Sequence, residues 1–329
     1  MPSAALTEAV TPGSSESSRL HLIKPRNPQD LRDLFKYTGE SMHFVGAHRG
    51  GAQQGFPENC IATFENTLQH AFAIMEIDPR YTKDGAIVVH HDPTLARTTT
   101  GDGRVADFTL SELKALRLKD TEGAVTEFQI PTLDEVLQWA RGKTILVLDQ
   151  KDVPVEARLR KIEEHHAEAY AMLIVYSFEA AGKCYELNEN IMMEVMIPNR
   201  ERFDAFDETG VPWSNVIAFV GHTPPGDKEL LRMIHAKGTC CMVGTSRNLD
   251  REFIAAGSSS TAAIEQHYRI LLQQGADVIE TDIPGKVGNL LYSESAIPPS
   301  KSRFFQGPHQ GESGLLGNLL TARRPARME

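Results

Sequence analysis

Basic residues are in deficit: 34 Lys and Arg stand against 44 Asp and Glu, a formal net charge of −10. That balance argues against a general nucleic-acid or anionic-membrane binder, since both need basic surface. An anionic substrate would have to be drawn in locally, by a few arginines or lysines or by a metal. Cysteine is also scarce, with Cys60, Cys184, Cys240 and Cys241 and no C-x-x-C arrangement. Adjacent Cys240 and Cys241 rarely pair with each other, so buried free thiols and a reducing, cytoplasmic setting are expected. No run of about 18 apolar residues exists, so no membrane-spanning segment is expected. Met1–Ser18 lacks the basic start and apolar stretch of a secretory signal and reads as disordered. No G-x-G-x-x-G turn follows the first strand candidate, which counts against a doubly wound nucleotide fold.

What is present is an ordinary globular composition, 41% hydrophobic and 24% charged over 329 residues, enough for a large core without staples. From His43 to Pro284 short apolar runs alternate with amphipathic stretches, the pattern of a parallel α/β protein. Strands are predicted at Phe44–Ala47, Met75–Arg80, Ile145–Asp149, Met172–Tyr176, Met192–Met196, Val216–Val220, Cys240–Gly244 and Val278–Thr281. Helices are predicted at Ile61–Phe72, Val155–Glu168, Glu179–Leu187, Asp227–Lys237 and Ile264–Gln274. Eight strands in this span fit a TIM (β/α)8 barrel, typically about 250 residues. A short insertion after the second strand carries an extra strand at Ala86–His90, a turn-rich loop and a helix capped near Thr109. The chain thus divides into a disordered segment and lead-in at 1–42, a barrel at 43–289 and a flexible tail at 290–329, with at most a short helix near Leu315–Leu320. Ala255–Thr261 reads as a small Ser-rich loop in the last crossover.

Chemistry-bearing residues gather at the predicted strand ends, where barrel enzymes keep their active sites. His48-Arg49-Gly50-Gly51 follows the first strand directly, and its glycines let the backbone turn sharply beside a ligand. Glu76 and Asp78 alternate around Ile77, so they share one face of the second strand. Two inward carboxylates need a partner: a divalent cation, or a salt bridge to Arg49 or Lys151. Asp149 and Lys151 repeat that spacing at the end of the third strand. Asp149 can complete an all-oxygen site suited to Mg²⁺ or Ca²⁺, and Lys151 can meet a phosphate oxygen. Of the doublet His90-His91, only one should reach the site, because neighbours on an extended segment face opposite ways. His91 is the one expected there, with Asp92 ordering its loop through backbone hydrogen bonds.

In order and spacing, His48-Arg49-Gly50, Pro57-Glu58-Asn59, Glu76-Ile77-Asp78, Thr82-Lys83-Asp84-Gly85, His91-Asp92 and Arg97-Thr98-Thr99 resemble the glycerophosphodiester phosphodiesterase family. The resemblance runs roughly from His43 to Pro284. It implies a TIM barrel that hydrolyses glycerophosphodiesters to an alcohol and glycerol 3-phosphate. It further implies His48 and His91 as the acid–base pair, Arg49 and Lys151 on the phosphate, and Glu76, Asp78 and Asp149 on one divalent cation, Mg²⁺ or Ca²⁺. Glu58, Asn59 and Glu280 are carried as site neighbours. Three departures bear on the leaving-group pocket more than on the chemistry. Asp149 stands where Glu is common, Gly244-Thr245-Ser246-Arg247-Asn248 replaces a T-V-N phrase, and Glu280 takes a position that is usually apolar. Two rival expectations are a phospholipase D-like activity on lysophospholipids or sphingolipids, and a catalytically silent barrel that binds a phosphate ligand. The oligomeric state is not readable.

Overall fold

The computed structural model describes residues 19–308, apart from 41, 224–226, 228, 258–261 and 295–296. Eight parallel strands close a barrel in strict sequence order: β1 Phe44–Ala47, β2 Ala73–Ile77, β3 Leu146–Leu148, β4 Ala171–Val175, β5 Met192–Met196, β6 Val216–Phe219, β7 Cys241–Gly244 and β8 Val278–Thr281. The ring shuts where β8 pairs with β1, Val278 opposite Phe44 and Thr281 opposite Ala47. Nearly every barrel residue is buried, because side chains of one face fill the interior and the other face is covered by helices. This is the TIM barrel that the alternating pattern predicts.

The strands are shorter than predicted where they meet the site. β2 ends at Ile77, and a separate antiparallel hairpin begins at Pro79, pairing Pro79–Tyr81 with Ile87–Val89. Asp78 therefore sits in the break between two sheets. β3 ends at Leu148, so Asp149 and Lys151 lie in the turn beyond it, and Lys151 has φ 38°. A left-handed turn, not simple alternation, sets the direction of Lys151.

The insertion after β2 has a small hydrophobic core of its own, built from Cys60, Val88, Leu95, Val105, Leu113, Leu118 and Ile130. Thr109 caps the helix Leu110–Lys114 in a reciprocal capping box with Glu112, as its sequence predicts. Thr132 and Glu135 do the same for Leu133–Ala140.

The ends of the chain differ from expectation. The lead-in contains a helix, Pro28–Phe35, capped by Asn27, and Leu22–Ile23 pairs antiparallel with Phe305–Gln306. Leu290 lies inside the helix Pro284–Glu294, so the tail expected from that residue is ordered well beyond it. Buried Leu20, Leu22, Ile23 and Phe304 explain why: both ends carry apolar side chains onto the barrel. Ala255 and Ala256 belong to the helix Leu249–Ala256, and the remainder of the predicted Ser-rich loop falls largely outside the described residues. Met1–Ser18 and the predicted helix at Leu315–Leu320 also lie outside them. The helices Arg200–Asp207, Leu249–Ala256 and Pro284–Glu294 are additional to those predicted. All four cysteines are buried and unpaired. No helix among the described residues is long and apolar enough to cross a membrane.

Gly51 shows how tightly the first turn is built. Its φ is +83°, and an added Cβ would overlap the ring of Pro284. Gly51→Ala is expected to destabilise the fold by roughly 2 kcal/mol or more, from left-handed strain plus overpacking. A melting temperature equal to that of the parent would contradict this.

Candidate active site

The mouth of the barrel opens into a cavity of about 490 Å³. His48, Arg49, Glu58, Glu76, His91, Asp149, Lys151 and Glu280 all line it. Among the site residues predicted from sequence, Asp78 and Asn59 sit just behind this surface, both buried.

His48 and Arg49 enter through a tight turn, His48–Gly50, in which Arg49 has φ 51°. That turn aims the Arg49 backbone N–H at Glu76 Oε2, 2.8 Å away. The guanidinium faces Glu58, with Nη1 3.2 Å from Oε2. Its Nε is buried without an aligned hydrogen bond, 3.9 Å from Asp78 Oδ2. Glu58 thus stands as the counter-ion of Arg49. Arg97 grips it as well, Nη2 to Oε1 at 2.7 Å and Nη1 to Oε2 at 2.9 Å. Burial raises the Glu58 pKa, but the Arg97 hydrogen bonds and the Arg49 charge outweigh it and hold the carboxyl below its usual range.

Glu76, Asp78 and Asp149 bring one oxygen each within 4.8 Å of one another, all three buried. Asn59, itself at φ 56°, clasps Asp78 from behind. Its Nδ2 donates to Oδ2 at 2.6 Å, while its Oδ1 accepts from the Asp78 backbone N–H at 3.2 Å. Lys151 Nζ contacts Asp149 and lies 2.9 Å from Asp78 Oδ1. That Oδ1 nevertheless lacks an aligned hydrogen bond. Tyr176 Oη donates to Asp149 Oδ1 at 2.5 Å. Behind this corner the fully buried Arg158 donates from Nη1 to the carbonyls of Leu148 and Ile174, tying the ends of β3 and β4 together.

Three carboxylates against Lys151 and, at 3.9 Å from Asp78, Arg49 still leave an excess of negative charge. Burial, then Asp78, Asp149 and Glu280, push the Glu76 carboxyl well above its ordinary range. Burial also opposes ionisation of Asp78, but Lys151, His91 and Asn59 overcome it and hold that carboxyl low. A buried oxygen with no aligned donor, hard oxygen ligands only, and surplus negative charge are what a divalent cation relieves. The cluster fits such an ion. The salt-bridge partners weighed from sequence both reach the carboxylates, Lys151 pairing with Asp78 and Asp149 and Arg49 lying 3.9 Å from Asp78. The second group with metal-ligating side chains, His235, Cys241 and Asp277, lies at the opposite end of the barrel. There His235 Nε2 and Asp277 Oδ2 already bond each other at 2.8 Å.

The two histidines sit in opposite electrostatic settings. His48 Nδ1 is 2.6 Å from Asp282 Oδ1. Burial lowers its pKa, but the Asp282 hydrogen bond and the charge of Glu280 prevail and raise it above 6.5. Asp282 is held in turn by Asp250, a buried carboxylate that accepts from the Asp282 backbone N–H at 2.7 Å and from Thr245, Tyr268 and Thr281 hydroxyls. His91 Nδ1 is 2.7 Å from Asp92 Oδ1, yet its pKa is lowered, first by burial and further by Arg49 and Lys151. Asp92 spends its carboxylate on His91 and Arg97, not on the backbone of its loop as expected. His90 points the other way, Nδ1 to the Asp92 carbonyl and Nε2 to Thr98 Oγ1, both within 3.0 Å. Asp282→Asn is expected to lower the pKa of His48, moving the alkaline limb of the pH–rate profile to lower pH. An unmoved limb would show that Asp282 does not tune this histidine.

Glu194, Met196, Phe219, His222 and Asp282 also line the wall and were not anticipated as site residues, whereas Arg247 belongs to the phrase already noted beside the leaving-group pocket. Glu194 lies in an apolar run, Met192–Met196, where a charged residue on the inner face was the available signal.

The family model of the glycerophosphoryl diester phosphodiesterase family matches residues 48–286. A glycerophosphoryl diester phosphodiesterase from Parabacteroides distasonis, solved by crystallography, is 40% identical and covers 88% of this chain and 99% of its own, with a TM-score of 0.82. A glycerophosphodiester phosphodiesterase of Caldanaerobacter subterraneus is 45% identical over 105 residues, 31% of this chain and 42% of that protein. A phosphodiesterase from Oleispira antarctica, solved with the product sn-glycerol-3-phosphate, shares the fold at a TM-score of 0.56 and 22% identity, over 76% of this chain and 96% of that one. With the family model spanning most of the barrel and a full-length relative at this identity, the chain belongs to the glycerophosphoryl diester phosphodiesterase family.

Proposed function

We propose that this enzyme hydrolyses glycerophosphodiesters to an alcohol and glycerol 3-phosphate, with His48 and His91 as its acid–base pair. The observation that carries the reading is the contrast between the two histidines across one cavity. His48 is biased towards the protonated form by Asp282, and His91 towards the neutral form by burial and nearby cations. This assigns His91 as the base that takes a proton from the nucleophile, either water or the substrate's own glycerol hydroxyl, the latter giving a cyclic phosphate that water then opens to glycerol 3-phosphate. His48 then gives its proton to the departing alkoxide oxygen as the P–O bond breaks. The Arg49 guanidinium and the Lys151 ammonium neutralise the phosphoryl oxygens as charge builds on them, the largest expected contribution. Glu58, braced by Arg97, keeps the Arg49 fork in place.

Glu76, Asp78 and Asp149 would hold one divalent cation, Mg²⁺ or Ca²⁺. When bound, such an ion supplies Lewis-acid polarisation of the phosphoryl group. The charged lining of the described mouth supports a small polar head group over an acyl chain. Buried, unpaired thiols support a reducing compartment, and we place the protein in the cytoplasm. A hydrolysis panel of glycerophosphodiesters and lysophosphatidylcholine, with Mg²⁺, with Ca²⁺ and with EDTA, tests the reading. Glycerol 3-phosphate released from the diesters supports it. Turnover of lysophosphatidylcholine alone, or of no ester, would overturn it.

A further inference from the structure

Two acids in the cavity hold neither the phosphate nor a transferred proton in the reaction just described, although the charge of Glu280 helps to raise the His48 pKa. Glu194 on β5 is 5% exposed and Glu280 on β8 is 7% exposed, and both line the cavity. Neither side chain makes a hydrogen bond or ion pair with any described residue. The other cavity carboxylates all do: Glu76 takes the Arg49 N–H, Asp149 takes Lys151 and Tyr176, and Asp282 takes His48. A buried carboxyl left without a partner is costly, and a leucine would fill either place on an inward strand position at lower cost. Groups retained against that cost, facing a cavity, mark a ligand contact.

We propose that Glu194 and Glu280 form a subsite for a hydroxyl-rich head group, selecting diesters whose leaving alcohol is a polyol over those with an alkyl or quaternary ammonium group. The inference rests on the phosphodiesterase reading above.

The chemistry of the pair points to hydroxyls. Burial raises both carboxyls, Glu280 and Asp149 raise Glu194 further by repulsion, and Asp282 and Asp149 do the same to Glu280, so the two do not both ionise readily. A pair that keeps a proton offers a donor and an acceptor together, matching the O–H of an alcohol, which needs both. A quaternary ammonium offers neither. The charge that would draw it is offset at Glu280 by His48 and Arg247. His222 adds a third contact on the same wall. Its Nδ1 packs against Gly244, and burial with Arg247 pulls the ring's pKa to about 4, so a neutral ring lines the cavity.

The test compares kcat/KM for glycerophosphoglycerol, glycerophosphoinositol, glycerophosphoethanol and glycerophosphocholine, using the full chain and its Glu194→Leu variant. The parent is expected to prefer the two polyol esters by about tenfold or more, since buried polar groups reject an analogue lacking their partner. In Glu194→Leu that preference should fall to near parity while the melting temperature rises, because an unpartnered buried acid has gone. Should Glu194→Leu fail to fold, Glu280→Gln carries the same comparison. Equal rates for all four esters in the parent, a preference for choline, or an unchanged ratio in the variant would overturn the subsite. So would calorimetry showing two Mg²⁺ bound by the parent and one by the variant, since the acids would then be metal ligands. Failure of the parent to cleave any diester would instead overturn the functional reading. Calorimetric binding of the same four compounds would then still decide the subsite.

Discussion

Replacing His91 with alanine is expected to lower kcat by about 10²–10⁴-fold, and replacing His48 by a comparable factor, with the melting temperature nearly unchanged. Neither ring contributes to the barrel core; both stand at its mouth, partly exposed. The two losses should not multiply in the double variant, because acid and base act in one displacement. The pH profile separates their roles. The active form carries a neutral His91 and a protonated His48. The rate therefore rises as pH climbs through the depressed pKa of His91, below 6.5, and falls as pH passes the elevated pKa of His48, above 6.5. His91→Ala should erase the acid limb and His48→Ala the alkaline one. Near-parental turnover in both variants would remove the acid–base assignment.

Stripping divalent cations with EDTA is expected to reduce turnover by about 10²–10³-fold or more, with recovery on adding Mg²⁺ or Ca²⁺. Asp78→Asn should bring a similar loss that excess metal does not repair, since Asn59 and Lys151 both position this carboxylate. Stability provides a second readout. The elevated pKa of Glu76 means that the folded, metal-free chain binds a proton that the unfolded chain releases near pH 4.5. Its contribution to stability is therefore lost as pH rises from that value through the folded pKa. A cation bound only by the folded state reverses this, so added metal should raise the melting temperature, and more so at neutral than at acid pH. Full activity in EDTA with no thermal shift would eliminate a metal role for the cluster.

Much of this site was readable along the chain because its parts are short and local. His48-Arg49 before Gly50-Gly51, and Glu76 two residues before Asp78, carry their direction in the backbone that holds them. His91 could be separated from His90 by the same alternation, and the cavity does receive His91 while His90 is bonded inside the insertion. Asp149 and Lys151 reached the cluster, but through a left-handed turn past β3 that alternation does not foresee. The tail was misread as loose from Leu290 onward, and no element was expected in the lead-in, because the few apolar residues of both segments have no periodicity. Leu22, Ile23 and Phe304 gain their partners only once the barrel is present to receive them.

The sequence by itself determined the fold class and the reactive groups, since a strand–helix alternation and strand-end motifs are periodic and local. Only the tertiary structure decided what each group does to the others. Asp282 is 234 residues from His48 and still sets its charge, because closing the ring puts β8 beside β1. Glu280 was marked in the sequence, but Glu194 lies in a strand that looks like ordinary core. The two come together only at the barrel mouth, where burial raises both carboxyls and Glu280 adds to the shift of Glu194.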